Sequence, residues 1–310
     1  VRTTGRAPTL PARVGDWIEH IRAALGAAGL HFGHGAASAS AEALWLVAHV
    51  LRRPFEEVEQ RPQLRVSAAA GARLSALLAQ RVEQRLPLAY LLGEAWLGPY
   101  RFDVDARTIV PRSFIAQWLL DRGRPWIRTP GRLRRALDLC TGSACLAILA
   151  ALAFPRAQVD AVDLSADALM VARKNVRAYR LGARVRLLEG DLFAPVEGTR
   201  YDLIIANPPY VDGKGMRALA PEYRAEPAMA LAGGTDGMDM IRTILTGSLA
   251  HLQERGLLVM EVGRNRARID RTFPRLPLVW LDNPQGDSMV LLASAADLRA
   301  PGALPGGTAG

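Results

Sequence analysis

Apolar residues first recur at helical spacing. Val14, Trp17, Ile18, Ile21 and Leu25 fall three and four apart, which predicts an amphipathic helix. Leu44, Val47, Val50 and Leu51 predict a second, capped by Ser40 and ending before Pro54. Ser67 caps a third, with Leu74, Leu77, Leu78, Val82 and Leu86 on one side. Residues 13–88 therefore read as a small helical domain. It holds no catalytic pattern, which suits substrate recognition, and residues 1–12 ahead of it read as a disordered lead. His20, His31, His34 and His49 lie here without a convincing ligand spacing, so each is expected to be a solvated or core histidine. Over residues 89–110 the pattern shifts to short runs, 90–96 and 100–104, around Gly98-Pro99. That predicts a β-hairpin linking two domains.

From residue 111 a helix opens at Pro111-Arg112-Ser113 and runs through Trp118-Leu119-Leu120; an arginine-rich linker, 122–135, follows. Strand and helix then alternate. Residues 136–140 predict a short buried strand, 141–144 a tight turn and 145–154 an apolar helix. A second strand, 158–163, ends in an acid, and Ser165 caps a helix running toward Gly182 as its C′ residue. Strand 185–188 precedes Gly190-Asp191-Leu192-Phe193. Strand 201–206 stops at Asn207-Pro208-Pro209-Tyr210, because proline cannot donate to a sheet ladder. Residues 211–236 are long and broken by Gly and Pro, a candidate lid. A helix over 237–254, a strand over 256–262 and a hairpin of 278–281 with 288–293 close the pattern. Residues 111–298 are thus expected to form an α/β domain with a mostly parallel sheet and a C-terminal antiparallel hairpin. Residues 299–310, rich in Gly, Pro and Ala, read as a disordered tail.

Composition changes this picture in two ways. At 310 residues the chain has room for one large domain or two modest ones. The formal charge of +9 rests almost wholly on arginine, since only Lys174 and Lys214 are lysines. Arginine binds phosphate, so RNA or a ribonucleoprotein is one expected neighbour; a genomic base bias that inflates Arg and Ala is the other reading. Cys140 and Cys145 are too close and too few for a disulfide framework or zinc site. With no apolar span of membrane length and no signal-peptide core, a reducing, cytoplasmic setting is expected. The chain begins at Val1, which leaves its true start open.

Four consecutive strand ends carry Asp138, Asp163, Asp191 and Asn207. A glycine turn after a strand lets a ligand approach the backbone, and an acid about 20 residues on can bind ribose hydroxyls. Asp138, Thr141, Gly142, Asp163, Asp191 and Asn207 are accordingly the candidate cofactor residues. The dinucleotide glycine fingerprint and the P-loop are both absent, which disfavours NAD and ATP and favours S-adenosylmethionine. Asn207 offers an acceptor, Pro208 fixes the direction of the carbonyls beside it, and Tyr210 supplies a flat face. Together they could hold a planar amino group, whose nitrogen is a poor nucleophile until two acceptors orient it. A plain Asn-Pro-Pro turn is the competing reading. Methyl transfer requires in-line alignment, which positioning can supply, so no metal is expected.

Residues 136–143 (Ala-Leu-Asp-Leu-Cys-Thr-Gly-Ser), Glu189-Gly190-Asp191-Leu192-Phe193 and Asn207-Pro208-Pro209-Tyr210 resemble the class I, Rossmann-like S-adenosylmethionine-dependent methyltransferases that modify a protein glutamine. Gly93-Glu94-Ala95-Trp96, Val110-Pro111-Arg112-Ser113 and Pro221-Glu222-Tyr223 with Glu226-Pro227 extend the resemblance over residues 85–293. Pro111-Arg112-Ser113 and Cys140 are similar to the PrmB-type branch of the protein-(glutamine-N5) methyltransferases, which acts on the third protein of the large ribosomal subunit. The resemblance implies that Asn207 and the Pro208 carbonyl bind the glutamine amide, that Pro209 belongs to the same substrate loop and that Tyr210 packs beside it. Asn207, Pro208 and Tyr210 are then the catalytic set. Three alternatives stay open: a release-factor glutamine methyltransferase, an adenine-N6 nucleic-acid methyltransferase, and a non-catalytic ribosome-assembly or RNA-binding protein. The family pattern has Gly where this chain has Ala144 and Pro where it has Phe114. If position 144 needs positive φ, alanine costs on the order of 1 kcal/mol; if it needs close approach, the methyl would crowd the cofactor.

Overall fold

The first apolar stripe packs as its spacing requires. In the computed structural model, which describes residues 10–282 and 288–304, α1 (Val14–Ala27) buries Val14, Trp17, Ile21 and Leu25. Helix α2 (Ala39–Leu51) starts earlier than expected: Ser38, not Ser40, is its cap and accepts the Ala41 N–H at 3.2 Å. Its buried stripe is Ala43, Trp45, Leu46 and Val47, while Leu44, Val50 and Leu51 stay partly exposed. The short α3 (Phe55–Gln60) follows, then α4 (Ala68–Gln84), whose cap Ser67 accepts the Ala70 N–H. Helix α5 (Leu88–Leu92) stands where residues 90–92 were expected to be strand. Pro87 at its N-cap and the burial of Leu88 and Ala89 favour a turn of helix, which Gly93 ends at φ 69.

These helices form one unit, comprising the residues up to Gly93 together with Ala220–Ala225. Its centre is ionic. Arg81 from α4 donates to both carboxylate oxygens of Glu42 from α2, at 2.9 and 3.1 Å, and to the His31 carbonyl. Both side chains are 1% exposed, and burial raises the Glu42 carboxyl even against the arginine. Glu222 accepts the His31 N–H at 3.1 Å and pairs with Arg85 at 2.7 Å. Buried His34 lies against the Tyr223 ring.

The second unit, Glu94–Leu219 and the residues from Glu226 on, is an α/β sandwich. Strands β1 (Glu94–Leu97) and β2 (Tyr100–Asp103) pair as the expected hairpin. That hairpin docks on the second unit's own helical layer: Asn175 bonds both the N–H and the carbonyl of Asp103, and Tyr179 donates to the Arg101 carbonyl. The main sheet holds β3 (Arg135–Leu139), β4 (Gln158–Asp163), β5 (Val185–Glu189), β6 (Tyr201–Ala206), β7 (Leu252–Glu261), β8 (Val279–Asp282) and β9 (Ser288–Ser294). Their spatial order is β5-β4-β3-β6-β7-β9-β8, with the first five parallel and β9 antiparallel to both neighbours. Successive side chains point to opposite faces. Leu203 and Ile205 join one core with α6 (Ile115–Leu120), α7 (Cys145–Ala153) and α8 (Ala166–Ala178). The segment after β6 carries α9 (Gly213–Ala218). Ile204 and Ala206 join the other core with α10 (Asp239–His251), α11 (Arg266–Thr272) and α12 (Ala295–Arg299).

Several boundaries differ from expectation. Helix α8 ends at Ala178, and Arg180 at φ 57, not Gly182, takes the left-handed position after it. Helix α10 gives way to β7 already at Leu252. Residues 211–236 are not bare loop: besides α9 they contain two short 3-10 turns and a bridge between Val211 and Ala232. Of residues 299–304, expected as a tail, Ala303 is buried and Ala300 and Leu304 pack partly against the core, while Arg299, Pro301 and Gly302 are exposed. Ser294 and Asp297 close a capping box on α12, and Leu298 and Ala303 are each 2% exposed. The expected disorder at 1–9 and 305–310 lies outside the described residues.

Candidate active site

The chain runs from β3 outward to β4 and β5, then returns to place β6 on the other side of β3. Such a reversal opens a crevice at the carboxyl ends of the strands. Register makes those ends coincide: Leu139 lies beside Val162 and Ala206, so Cys140, Asp163 and Asn207 emerge side by side. Asp163 in turn lies beside Glu189, which brings Gly190 and Asp191 next to it.

Asp138 does not reach the crevice. It is fully buried, and one carboxylate oxygen accepts the Thr141 hydroxyl at 2.5 Å and the Ala147 N–H at 3.0 Å; the other oxygen has no partner. Burial pushes its carboxyl up to about 7. Asp138 and Thr141 thus tie the turn to the first turn of α7 and do not line the cavity. The turn itself alternates through left-handed positions, with φ of 57 at Cys140, 55 at Gly142 and 61 at Ala144. Position 144 therefore requires positive φ. Its methyl is buried in the core with Ile148, away from the crevice, so alanine there strains the backbone and crowds no ligand. Asp163 accepts the Gly142 N–H at 2.7 Å and the Ser165 N–H at 2.9 Å. Burial raises its carboxyl, and the two backbone donors oppose that shift.

A cavity of about 280 Å³ fills the crevice, lined by Cys140, Gly142, Asp163, Asp191, Asn207 and Pro209 and walled by Val162, Leu164 and Leu192. Arg107–Ile109 after the hairpin, Met229 and Ala230 in the 211–236 segment and Met240 of α10 complete it. Met229 lies in the long segment expected to be a lid, while no motif or spacing pointed to Arg107 or Met240. Asp163 keeps acceptor capacity beyond its two backbone bonds, since an ionised carboxylate has about four lone-pair sites. Two carboxylates at one end and an apolar slot beside them match a ribose diol and a flat purine.

Behind Asn207 the loop is locked. The Tyr210 hydroxyl donates to Glu261 at 3.1 Å, and its carbonyl accepts from the Asn265 amide at 2.9 Å. A Cβ at Gly233 would come within 2.7 Å of the Tyr210 Cα, one at Gly237 within 2.5 Å of its carbonyl, and one at Gly263 within 2.6 Å of its ring. No side chain fits at these three positions without moving the loop. Pro208 is buried, and neither it nor Tyr210 lines the cavity; Asn207 and Pro209 do. Among the described residues no hydrogen bond claims the Asn207 side chain. Glu261, 3% exposed at the end of β7, also accepts the Ser113 hydroxyl at 2.6 Å and the Phe114 N–H at 3.0 Å. Burial raises its carboxyl against these donors. Glu226 accepts the Val110 N–H at 2.8 Å and both Arg112 guanidinium nitrogens, at 2.5 and 2.7 Å. The Val110–Ser113 turn is thus pinned on two buried carboxylates. Glu261 and Asn265 escaped the sequence reading; an acid ending the apolar run 257–261 was the one available sign.

Known proteins are similar to this chain in sequence. The sequence model of the methyltransferase small domain matches residues 127–230, and that of the PrmC N-terminal domain matches residues 16–93. The ribosomal protein uL3 glutamine methyltransferase of Bordetella pertussis is 49% identical over 285 residues, covering 92% of this chain and 95% of its own. The protein of the same description from Burkholderia pseudomallei is 46% identical, covering 95% and 98%. That from Bradyrhizobium diazoefficiens is 46% identical over 95% and 97%. This chain belongs to the ribosomal protein uL3 glutamine methyltransferase family. It is a methyltransferase of the class I fold, and its methyl donor is S-adenosylmethionine. The crevice fits that donor: free acceptor capacity on Asp163, a second carboxylate on Asp191, and an apolar slot between them and Asn207.

Proposed function

We propose that this chain transfers a methyl group from S-adenosylmethionine to the side-chain amide nitrogen, N5, of a glutamine in ribosomal protein uL3. One observation carries the reading. Asn207 opens onto the same cavity as Asp163 and Asp191, its side chain unclaimed, on a loop that Glu261, Asn265 and three glycines hold rigid.

Bound S-adenosylmethionine supplies a sulfonium methyl, electrophilic toward a lone pair in line with the breaking C–S bond. The chain's own part is binding and orientation. Asp163 and Asp191 hold the ribose and purine end, with Gly142 at close backbone approach. Asp138 and Thr141 act one layer back, keeping the turn in shape. The Asn207 side-chain oxygen and the Pro208 carbonyl each accept one hydrogen of the glutamine amide. That turns the nitrogen lone pair toward the methyl and stabilises the positive charge that grows on nitrogen during attack. Pro209 bounds the slot, and Tyr210 braces the loop through its hydroxyl. Residues 13–88 supply recognition of the substrate protein, and residues 111–298 the chemistry. The charge of +9 favours contact with ribosomal RNA or an assembling particle. The cytoplasm, where ribosomal proteins are made, is the working compartment; no described helix is long and apolar enough to cross a membrane.

Labelled S-adenosylmethionine is offered in parallel with uL3, a release factor and adenine-containing DNA. Label is expected in uL3. Label only in DNA would sink the proposal, and label in the release factor would move it to the neighbouring branch. Asn207→Ala is expected to lower kcat by at least about a hundredfold while cofactor affinity by calorimetry changes little; retained turnover would contradict the acceptor role.

A further inference from the structure

Two side chains of the crevice are out of keeping with their chemistry. Leu164 is 55% exposed and Met229 53%, the highest values for large apolar side chains among the described residues. They lie far apart in the chain, yet both line the cavity that Asp163 and Asn207 share. Other apolar walls are set into the body of the unit: Val162 is 1% and Leu192 9% exposed. A large exposed apolar group at a ligand cavity marks where an apolar part of the ligand lies.

Met229 is placed by its backbone. The Ala230 N–H donates to the Pro227 carbonyl at 3.0 Å and the Ala232 N–H to the Ala228 carbonyl at 2.9 Å, so the chain turns tightly around it. A bridge between Val211 and Ala232 moors this turn to the residues that follow Tyr210. Glu226 is the second mooring. Its buried carboxylate accepts the Val110 N–H and both Arg112 guanidinium nitrogens. Ile109 directly precedes Val110, and Pro227 directly follows Glu226. One carboxylate thus staples the Arg107–Ile109 wall of the cavity to the Pro227–Ala230 wall. The spacing of these walls is fixed without any help from the Met229 side chain.

S-adenosylmethionine has one broad apolar surface, the two faces of its purine; its amino-acid end is charged. Leu164 directly follows Asp163, the acceptor for the ribose hydroxyls, and the purine is bonded to that ribose. One face of the ring therefore falls to Leu164. The opposite face needs a second apolar wall, and a flexible thioether packs well on an aromatic ring. We propose that Met229 is a cofactor-binding residue that closes on the purine opposite Leu164, and that Glu226 is the positioning residue that sets where Met229 stands. This assignment rests on Asp163 as the ribose acceptor and is independent of the protein that receives the methyl group.

The test is calorimetric titration of the full chain with S-adenosylhomocysteine and with 5′-methylthioadenosine, which keeps purine and ribose and lacks the amino-acid end. Met229→Ala is expected to weaken both ligands about tenfold and by the same factor. Met229→Leu restores an apolar wall and is expected to stay within about threefold. Met170→Ala removes another exposed methionine, on α8 and outside the cavity lining, and should leave both affinities unchanged. Glu226→Gln and Arg112→Lys loosen the staple from either end. Each is expected to cost several-fold alone and little more when combined with Met229→Ala. Unchanged affinity in Met229→Ala overturns the proposal, and so does a loss confined to S-adenosylhomocysteine, which would put Met229 at the amino-acid end. An equal loss in Met170→Ala, or no rescue by leucine, overturns it too. Strictly additive losses would overturn the role of Glu226. Asp163→Asn tests the footing separately: unchanged affinity there removes the ribose reading and this assignment with it, whereas a loss there beside an unaffected Met229→Ala overturns this assignment alone.

Discussion

Ala144 shows how little a residue type says about its own backbone. The left-handed region costs an L-residue roughly 1–2 kcal/mol. Glycine there would give back about 0.5–1 kcal/mol in chain entropy and about 0.8 kcal/mol for the lost buried methyl. The opposing effects nearly cancel, so alanine is tolerated at φ 61. The departure from the family pattern was legible in the sequence; the sign of its effect depended on φ and burial, which residue identity does not encode. Asp138 was likewise visible as a strand-end acid, but burial decides its task. Its raised carboxyl means that the folded chain holds this proton more tightly than the unfolded chain. Stability from this group is therefore fully present below the unfolded value of 3.8 and is lost as pH rises toward and through about 7. Asp163 and Glu261 are shifted in the same direction and add to that slope. Urea unfolding of wild type and Asp138→Asn between pH 5 and 8 isolates Asp138: the wild type's stability relative to the variant is expected to fall up to about pH 7 and then level. A difference that ignores pH would rule out a titrating Asp138.

Among the elements, those buried on both faces were the readable ones. β4 and β6 run from Gln158 to Asp163 and from Tyr201 to Ala206 as their apolar runs foretold, because each is flanked by parallel neighbours and covered by helices on both sides. Short runs with one buried side were ambiguous. Tyr90-Leu91-Leu92 satisfies a strand or a helical turn equally, and Pro87 settles it. Glu261 was unreadable for another reason: its partners Ser113 and Phe114 lie more than 140 residues earlier. It ends β7 and joins that strand to the Val110–Ser113 turn and to the substrate loop. Glu261→Gln keeps the shape and removes the charge that three donors share. The expected result is a kcat lower by roughly 10- to 100-fold with cofactor affinity nearly unchanged, since small displacements of an aligned loop cost that much. Loss of cofactor binding in proportion to kcat would instead mean that Glu261 supports the crevice as a whole.

At the scale of the molecule, the first unit depends on a pair that no periodicity announced. Arg81 occupies a position where a helical stripe calls for an apolar residue, and Glu42 answers it across the unit. Arg81→Met leaves Glu42 buried without its partner, a change expected to cost about 3–5 kcal/mol. Hydrogen exchange should show protection lost first in α1 to α5 and in Ala220–Ala225, with the main sheet still protected; uniform loss would mean that the chain unfolds as one body. The sheet itself carries a consequence for synthesis. β9 enters between β7 and β8, so a strand that leaves the ribosome after both of its neighbours fills an interior slot. Until Ser294 has emerged, β7 keeps an open edge and β8 has nothing to pair with. A growing or prematurely stopped chain thus holds every residue of the crevice while its sheet lies unsealed, and it must be shielded from partners until translation is finished.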